Sequence, residues 1–278
     1  MLPATDWRRY ADHYPSDHHT VVGNVLVLPQ VWSPQLNNAR DILIYLPPSY
    51  LAGAQRYPVI YMQDAQNLFD RATSFAGVEW QVDETMEALS AEGLEAIVVG
   101  IPHMSDRRLA EYTPPTNLWW RGCGDRYTAF VCDTLKPLID RSFRTLTGRA
   151  DTGIFGSSMG ALISLYAFFE RPDVFGRCGA MSPSLWVGRG VIHQHVRPPQ
   201  DGARIYLDNG TREGTARPLY TVLREKGYQD QRNLMYVVEE GGQHAEAAWA
   251  RRLPGALRFL LKPAEVNRHV PESTPVSW

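Results

Sequence analysis

Ser158 stands in a pattern that is typical of a nucleophilic serine. The run Gly156-Ser157-Ser158-Met159-Gly160 matches Gly-x-Ser-x-Gly, with Ser157 at the variable position. An apolar run at residues 152–155 predicts a strand before this pattern, and residues 159–171, apolar nearly all round, predict a helix after it. A serine on so tight a turn is exposed in a strained conformation, and its flanks need residues without bulk. We therefore predict that Ser158 is a nucleophile, with an ordinary glycine-rich turn as the alternative.

His244 is the histidine best placed to activate this serine. A serine hydroxyl needs a histidine to accept its proton, and after a strand–turn–helix serine the partners follow in the order Asp or Glu, then His. Six of the eight histidines precede either Ser158 or the predicted strand that should end in the acid. Of the remaining two, His244 lies between the last predicted strand and the last helix, whereas His269 lies in a proline-flanked tail. We predict His244 as the general base.

Two carboxylates compete for the role of the acid. Asp208 ends the strand predicted at residues 204–208, and Glu213 follows shortly after it. Either could orient the imidazole and stabilise its cation. Glu213 follows the turn at Gly210 and can fold back toward the site, whereas Asp208 could point into the sheet. We favour Glu213 and keep Asp208 as the alternative.

An acyl transfer also needs donors for the oxyanion. The residue after the nucleophile, Met159, supplies one backbone N–H, and a loop after an earlier strand supplies the other. That loop is predicted at residues 63–67, and within it we assign the N–H of Gln66. Asp64, in the same loop, is interpreted as structural.

These residues need a sheet to bring them together. Short β-branched or alternating runs predict about eight strands, at residues 21–31, 41–46, 59–63, 96–101, 152–155, 178–182, 204–208 and 235–239. Helical patterns occupy residues 80–92, 125–143, 159–171, 216–226 and 246–261. Strands that alternate with helices indicate an α/β fold, a mostly parallel sheet with helices on both faces. Residues 20–47 lack a helix between their strands and predict an antiparallel edge.

Two long connections carry an unusual share of the tryptophans. Residues 104–124 contain Trp119 and Trp120, and residues 183–202 contain Trp186. Long loops in compact domains are often functional. We predict that these three tryptophans form walls of a substrate pocket, with core packing as the alternative.

Composition excludes several classes of function. The 278 residues carry 28 Lys and Arg against 30 Asp and Glu, and without a basic excess we expect no nucleic-acid partner. We expect no membrane span, no signal peptide and a cytoplasmic location. Three scattered cysteines and a His-x-His pair at 193 and 195 complete no ligand set, so we expect no metal and no cofactor. A single domain over residues 1–278, with a core at about 20–262, is the simplest organisation.

Several motifs together resemble the putative esterase family of α/β-hydrolases, which includes enterochelin esterases, the esterase D-like S-formylglutathione hydrolases, feruloyl esterases and mycolyltransferases. The resemblance covers about residues 20–262, and its carriers are Leu46-Pro47-Pro48-Ser49-Tyr50, residues 56–70, Glu111-Tyr112-Thr113-Pro114, Gly156-Ser157-Ser158-Met159-Gly160, Ser182-Pro183-Ser184-Leu185-Trp186 and Gly242-Gln243-His244. It implies an α/β-hydrolase fold with Ser158 as nucleophile and His244 as base. It also selects Glu213, because the family's acid lies three residues after a glycine, here Gly210. Its second oxyanion donor follows an Asp-Gly pair, which here reads Asp64-Ala65 and leads to Gln66.

The resemblance implies a serine carboxylesterase that works through an acyl-enzyme on a small-molecule ester, such as a siderophore or another aromatic ester. For a siderophore that bears catecholates and iron, Arg107, Arg108 and Arg121 in the first long loop could form a basic rim, with solvated loop arginines as the alternative. Two alternatives remain: an acyltransferase that uses the same residues, and a non-catalytic binding protein on a hydrolase fold. The sequence leaves the physiological ester and the oligomeric state open.

Overall fold

The computed structural model describes residues 6–116 and 122–262, and in these residues nine strands form one sheet. They are β1 (Arg8–Arg9), β2 (Asn24–Ser33), β3 (Asn38–Leu46), β4 (Val59–Gln63), β5 (Ile97–Ile101), β6 (Thr152–Ser157), β7 (Arg177–Met181), β8 (Arg204–Gly210) and β9 (Leu234–Glu239). The eight predicted strands are all present. The ninth, β1, has only two residues, too few for a sequence pattern to reveal.

The strand order places the carboxyl ends of the parallel strands side by side along one edge of the sheet. The order is β1-β2-β3-β5-β4-β6-β7-β8-β9. The pairs β1–β2, β2–β3 and β3–β5 are antiparallel, in agreement with the antiparallel edge predicted for residues 20–47. The pairs β5–β4, β4–β6, β6–β7, β7–β8 and β8–β9 are parallel. In such sheets, ligands bind at the carboxyl ends of the strands, where the connecting loops converge.

Helices cover both faces of the sheet. They are α1 (Tyr10–His13), α2 (Val82–Ser90), α3 (Arg108–Tyr112), α4 (Gly124–Ala129), α5 (Lys136–Ser142), α6 (Ser158–Glu170), α7 (Arg217–Glu225) and α8 (Glu246–Leu261). Helices α4 to α7 pack into one hydrophobic core, and α2 and α8 into the other. Residues 159–169 of α6 are all buried, which explains why this helix is apolar nearly all round.

Two elements differ from the prediction. The helix expected over residues 125–143 is interrupted by a π-helical segment, Phe130–Leu135, between α4 and α5. Pro137 follows that segment and has no N–H for the helical ladder, so the regular pattern breaks just ahead of it. The loop expected over residues 104–124 contains α3, whose five residues are too few to show a helical period.

The N-terminal segment is tied to the core through Asp70, a residue buried to 1% exposure. Tyr10 Oη donates to Asp70 Oδ2 at 3.0 Å, His19 Nδ1 lies 2.5 Å from the same oxygen, and Thr20 Oγ1 donates to Oδ1 at 3.3 Å. Although burial disfavours its charge, hydrogen bonds from the Ala72 N–H, His19 and Tyr10 hold the pKa of Asp70 below its ordinary value. The segment before β2 therefore packs on the domain.

Within residues 6–116 and 122–262, no helix combines the length and the apolar character needed to cross a membrane. The same residues contain no group of three His, Cys, Asp or Glu side chains arranged to hold a metal ion. The absence of a metal and of a cofactor stays a prediction.

Candidate active site

Three neighbouring strands are each followed directly by a residue with left-handed backbone geometry. Asp64 follows β4 with φ 56°, Ser158 follows β6 with φ 54°, and Ser182 follows β7 with φ 44°. This region disfavours residues other than glycine, and such outliers cluster at functional sites. They mark the carboxyl edge of the central sheet as the candidate site.

Glycines allow the tight turn at Ser158. A Cβ on Gly156 would lie 2.5 Å from the backbone carbon of Gly160, and a Cβ on Gly160 would lie 3.0 Å from Gln63 Cβ and from Asp64 Oδ2. The first contact is with backbone atoms that cannot move away. The small residues of the Gly-x-Ser-x-Gly pattern are therefore required by close approach of the chain around the serine.

The structure brings Ser158, His244 and Glu213 into one hydrogen-bonded chain. His244 Nε2 lies 2.9 Å from Ser158 Oγ, and His244 Nδ1 lies 2.7 Å from Glu213 Oε2. A carboxylate can only accept, so Nδ1 carries the hydrogen of the neutral imidazole and Nε2 accepts from the serine hydroxyl. This is the geometry by which a histidine can activate a serine.

Glu213, and not Asp208, meets the imidazole. Burial disfavours the charge of Glu213, but hydrogen bonds from His244, the Gly210 N–H and Ser182 outweigh it and hold the pKa of Glu213 below its ordinary value. Asp208 is fully buried and forms an ion pair with Arg252, Oδ2 to Nε 3.0 Å. Burial raises the pKa of Asp208 to about 6, despite the opposing charge of Arg252. Asp208, the alternative acid, is thus paired with Arg252, whereas Glu213 is paired with His244.

The predicted oxyanion donors begin two helices at adjacent strands. Met159 is the second residue of α6, and Gln66 is the second residue of a 3-10 turn, Ala65–Asn67, after β4. The first N–H groups of a helix have no acceptor within it. Since β4 and β6 are paired, both N–H groups belong to the same edge of the sheet as Ser158.

Ala65 fits where the resemblance expects a glycine. The left-handed residue of this loop is Asp64, whereas Ala65 begins the 3-10 turn. The room for its methyl group comes from Gly100 in β5, where an added Cβ would lie only 2.9 Å from Ala65 Cβ. The loop that carries Gln66 therefore rests on a glycine from another strand.

Gly100→Ala tests this packing. The added methyl group overlaps Ala65 and Phe69, so we expect the free energy of unfolding to fall by about 1–3 kcal/mol. Displacement of the loop should also lower kcat for an ester substrate. Urea unfolding and initial rates measure the two effects. Gly148→Ala is the matched control, because its Cβ meets nothing within 4 Å; equal behaviour of the two variants would contradict this account of the loop.

A cavity of about 300 Å³ opens at Ser158. Its lining includes Phe75, Arg108, Glu246 and Trp249. Arg108 is tied to Asp64 by two hydrogen bonds, Nε to Oδ1 at 2.8 Å and Nη2 to Oδ2 at 2.9 Å. Burial disfavours the charge of the Glu246 carboxyl and raises its pKa.

Two of the predicted pocket residues, Arg107 and Trp186, are described by the structure and are not among the lining of this cavity. Arg107 is an exposed residue next to the cavity-lining Arg108, and Trp186 is 68% exposed and outside the lining. Trp119, Trp120 and Arg121 lie outside the described residues. A surface position for Arg107 follows from α3, whose first residue, Arg108, turns toward Asp64 instead.

Sequence reasoning missed Phe75, Trp249 and Ser184. Ser184 Oγ lies 3.2 Å from Ser158 Oγ, and the Trp249 ring meets the His244 ring edge to face, centroids 5.1 Å apart. Two signals in the sequence could have found them. Ser184 comes shortly after β7, and Trp249 lies about one helical turn after His244 along the chain. Phe75 gave no signal, because it belongs to a short irregular turn.

A larger cavity, about 390 Å³, lies at the other end of the strands, where their amino ends and the last turn of α6 meet. Phe169, Glu170 and Arg197 are among its lining, which contains no serine or histidine. Ser158 and His244 line the smaller cavity instead.

Comparison with known proteins places the chain in a family. The family model described as "Putative esterase" matches residues 33–260. An uncharacterised protein of Bacillus subtilis is 27% identical over 242 residues, covering 80% of this chain and 92% of that protein. A siderophore triacetylfusarinine C esterase of Aspergillus fumigatus is 31% identical over 136 residues, covering 46% of this chain and 44% of that protein.

Solved structures show the same architecture. An enterobactin esterase from Shigella flexneri, in the presence of enterobactin, has a TM-score of 0.68 and 21% identity, covering 86% of this chain and 60% of that one. A ferulic acid esterase has a TM-score of 0.66 and 20% identity, covering 85% of this chain and 97% of that one. The protein thus has an α/β-hydrolase fold. Since the family model spans most of its length, the chain belongs to the putative esterase family.

Proposed function

We propose that the protein is a serine carboxylesterase that acts through an acyl-enzyme. The observation that carries this proposal is the continuous hydrogen-bonded chain from Glu213 through His244 to Ser158. Membership of an esterase family supports hydrolysis of carboxylic esters as the reaction. The open cavity at Ser158 gives a small-molecule ester access to the nucleophile.

Acylation begins when Ser158 Oγ attacks the ester carbonyl carbon and its proton passes to His244 Nε2. Glu213 then stabilises the imidazolium through Nδ1–H. The N–H groups of Met159 and Gln66 stabilise the oxyanion of the tetrahedral intermediate. As the intermediate collapses, the Nε2 proton passes to the leaving oxygen and the alcohol departs.

Deacylation repeats these steps with water. The His244 side chain is 43% exposed, so water can approach Nε2 beside the acyl group. Nε2 takes a proton from this water as its oxygen attacks the acyl carbon, and then returns the proton to Ser158 Oγ. The carboxylic acid leaves and the enzyme is restored.

Labelling by a fluorophosphonate tests the proposal. The wild-type protein should form one covalent adduct, and peptide mass spectrometry should place it on Ser158. Hydrolysis of p-nitrophenyl acetate should show a burst of one equivalent if deacylation is the slower step. An unlabelled, inactive wild type would refute the proposal. Transfer of the acetyl group to added methanol, in preference to water, would indicate an acyltransferase.

The lining of the cavity supports an aromatic ester as substrate, in keeping with the siderophore and ferulic acid esterases to which the chain is similar. Phe75 and Trp249 offer aromatic surface beside Ser158. A volume of about 300 Å³ is at the small end for ligand cavities and suits one aromatic acyl group. Methyl ferulate and a catecholate lactone should therefore be cleaved faster than p-nitrophenyl decanoate, in a panel measured by product release.

A further inference from the structure

Ser182, the first residue after β7, lies between Glu213 and α8. Its Oγ accepts a hydrogen bond from Trp249 Nε1 at 2.9 Å and one from Arg252 Nη2 at 2.8 Å. The same Oγ lies 2.8 Å from Glu213 Oε1. Ser182 is 3% exposed and Arg252 is 7% exposed, so this cluster is shielded from solvent.

The direction of each bond follows from the chemistry of its groups. An indole N–H and a guanidinium can only donate, so they occupy the two lone pairs of the Ser182 oxygen. The single hydroxyl hydrogen is left for Glu213 Oε1, which also accepts from the Gly210 N–H at 2.6 Å. The other carboxylate oxygen, Oε2, is thereby left for His244 Nδ1.

Asp208 and Arg252 hold Ser182 from below. Asp208 Oδ1 accepts from the Ser182 N–H at 3.0 Å, and Arg252 is shared between Asp208 and Glu239, whose Oε2 lies 2.9 Å from Nη1. Ser182 adopts φ 44°, a conformation that persists in a residue other than glycine only where its surroundings impose it. The buried ion-paired network imposes both the place and the direction of the hydroxyl.

We propose that Ser182 is a positioning residue for catalysis: its hydroxyl, aimed by Trp249 and Arg252, fixes the rotation of the Glu213 carboxylate and through it the imidazole of His244. This inference rests on the proposed esterase function. It assigns α8 an indirect part in catalysis, since Trp249 and Arg252 act on the acid through one hydroxyl group.

Ser182→Ala and Ser182→Gly test the inference together. Both variants remove the hydroxyl. Loss of a hydrogen bond to a charged group changes a rate or equilibrium constant by about tenfold to a hundredfold. We therefore expect kcat/KM for p-nitrophenyl acetate to fall by about that factor, through a lower kcat. Glycine adopts a positive φ without strain, so the Gly variant should fold even if the Ala variant does not. Wild-type kcat/KM in the Gly variant would overturn the inference. Ser164→Ala, a buried serine of α6, is the control and should keep its activity.

The pH profile separates positioning from packing. Without the Ser182 donor, the pKa of Glu213 rises, because that hydrogen bond helps to hold it down. A more basic carboxylate binds the Nδ1–H of the imidazolium more strongly. The acid limb of kcat/KM, which requires a neutral imidazole, should therefore move to higher pH. The charged groups that face Glu213, namely His244 at 2.7 Å, Arg252 at 3.7 Å and the neighbouring Asp208, with Glu239 behind Arg252, stay in place in these variants. An unmoved limb would overturn the inference.

A double-mutant cycle shows whether Ser182 acts through Glu213. In a Glu213→Gln background, Ser182→Ala should cost less than about threefold, because the carboxylate it orients is gone. A cost as large as in the wild type would overturn the inference. Failure of the esterase proposal has a different signature: the wild-type protein would then show neither fluorophosphonate labelling nor ester hydrolysis before any variant is compared.

Discussion

Ser158→Ala is expected to abolish covalent labelling by a fluorophosphonate and to lower kcat/KM for p-nitrophenyl acetate by roughly 10⁴- to 10⁶-fold. The physical reason is that Ser158 Oγ lies 2.9 Å from His244 Nε2 at the mouth of the cavity, which makes it the hydroxyl that this histidine can activate. The labelling reaction and the initial rate measure the loss, and near-wild-type circular dichroism checks the fold.

The neighbouring serine gives the control for this experiment. Ser157→Ala removes the other hydroxyl of the Gly-x-Ser-x-Gly turn and should retain labelling, because Ser157 ends β6 as a buried residue. His244→Ala should label much more slowly than the wild type, since Ser158 then lacks a proton acceptor. Undiminished labelling of the Ser158→Ala variant would show that another residue is the nucleophile.

Glu213→Gln is expected to lower kcat by roughly 10³- to 10⁴-fold while the protein stays folded. An amide nitrogen facing Nδ1 favours the wrong imidazole tautomer, and a neutral side chain no longer stabilises the imidazolium. Asp208→Asn should act on stability instead. It leaves the buried Arg252 with less compensation, and breaking such a pair costs about 3–5 kcal/mol in the free energy of unfolding. Its kcat should fall less than tenfold, because its amide oxygen can still accept from the Ser182 N–H.

Initial rates and urea unfolding of the two amide variants provide the comparison. Each replaces one carboxylate oxygen by nitrogen, so they differ in position and not in chemistry. A folded Asp208→Asn variant that loses far more turnover than Glu213→Gln would reverse the assignment of the acid.

The parts of the site that follow the chain closely could be predicted. Ser158 and Gly156 belong to one turn, whose strain and close approach dictate the residue types. His244 follows from chain order, because one long helix and one strand bracket it. The fold was predictable for the same reason, since eight of the strands are long enough to show their period.

The rest of the site depends on contacts that leave no local pattern. Arg108 meets Asp64 from a helix of five residues, and Trp249 reaches Ser182 across 67 positions of the chain. The turn at Gly210 and the family resemblance favour Glu213 over Asp208, but the sequence does not show that Asp208 is buried beside Arg252. The sequence could not tell which arginine of this loop turns inward, because the rotation of α3 brings Arg108 to the cavity and leaves Arg107 exposed.

The ties between Asp70 and the N-terminal segment bear on where this enzyme can be cut. The family model begins at residue 33, so a chain trimmed to that boundary would lose Tyr10, His19 and Thr20 and leave the buried Asp70 without three of its partners. Asp70 lies three residues beyond the turn that carries Gln66. A boundary chosen by family likeness would thus keep Ser158, Glu213 and His244 and still loosen the loop that carries Gln66. The N-terminal segment is therefore a place where protein engineering could adjust turnover without touching the proposed catalytic residues.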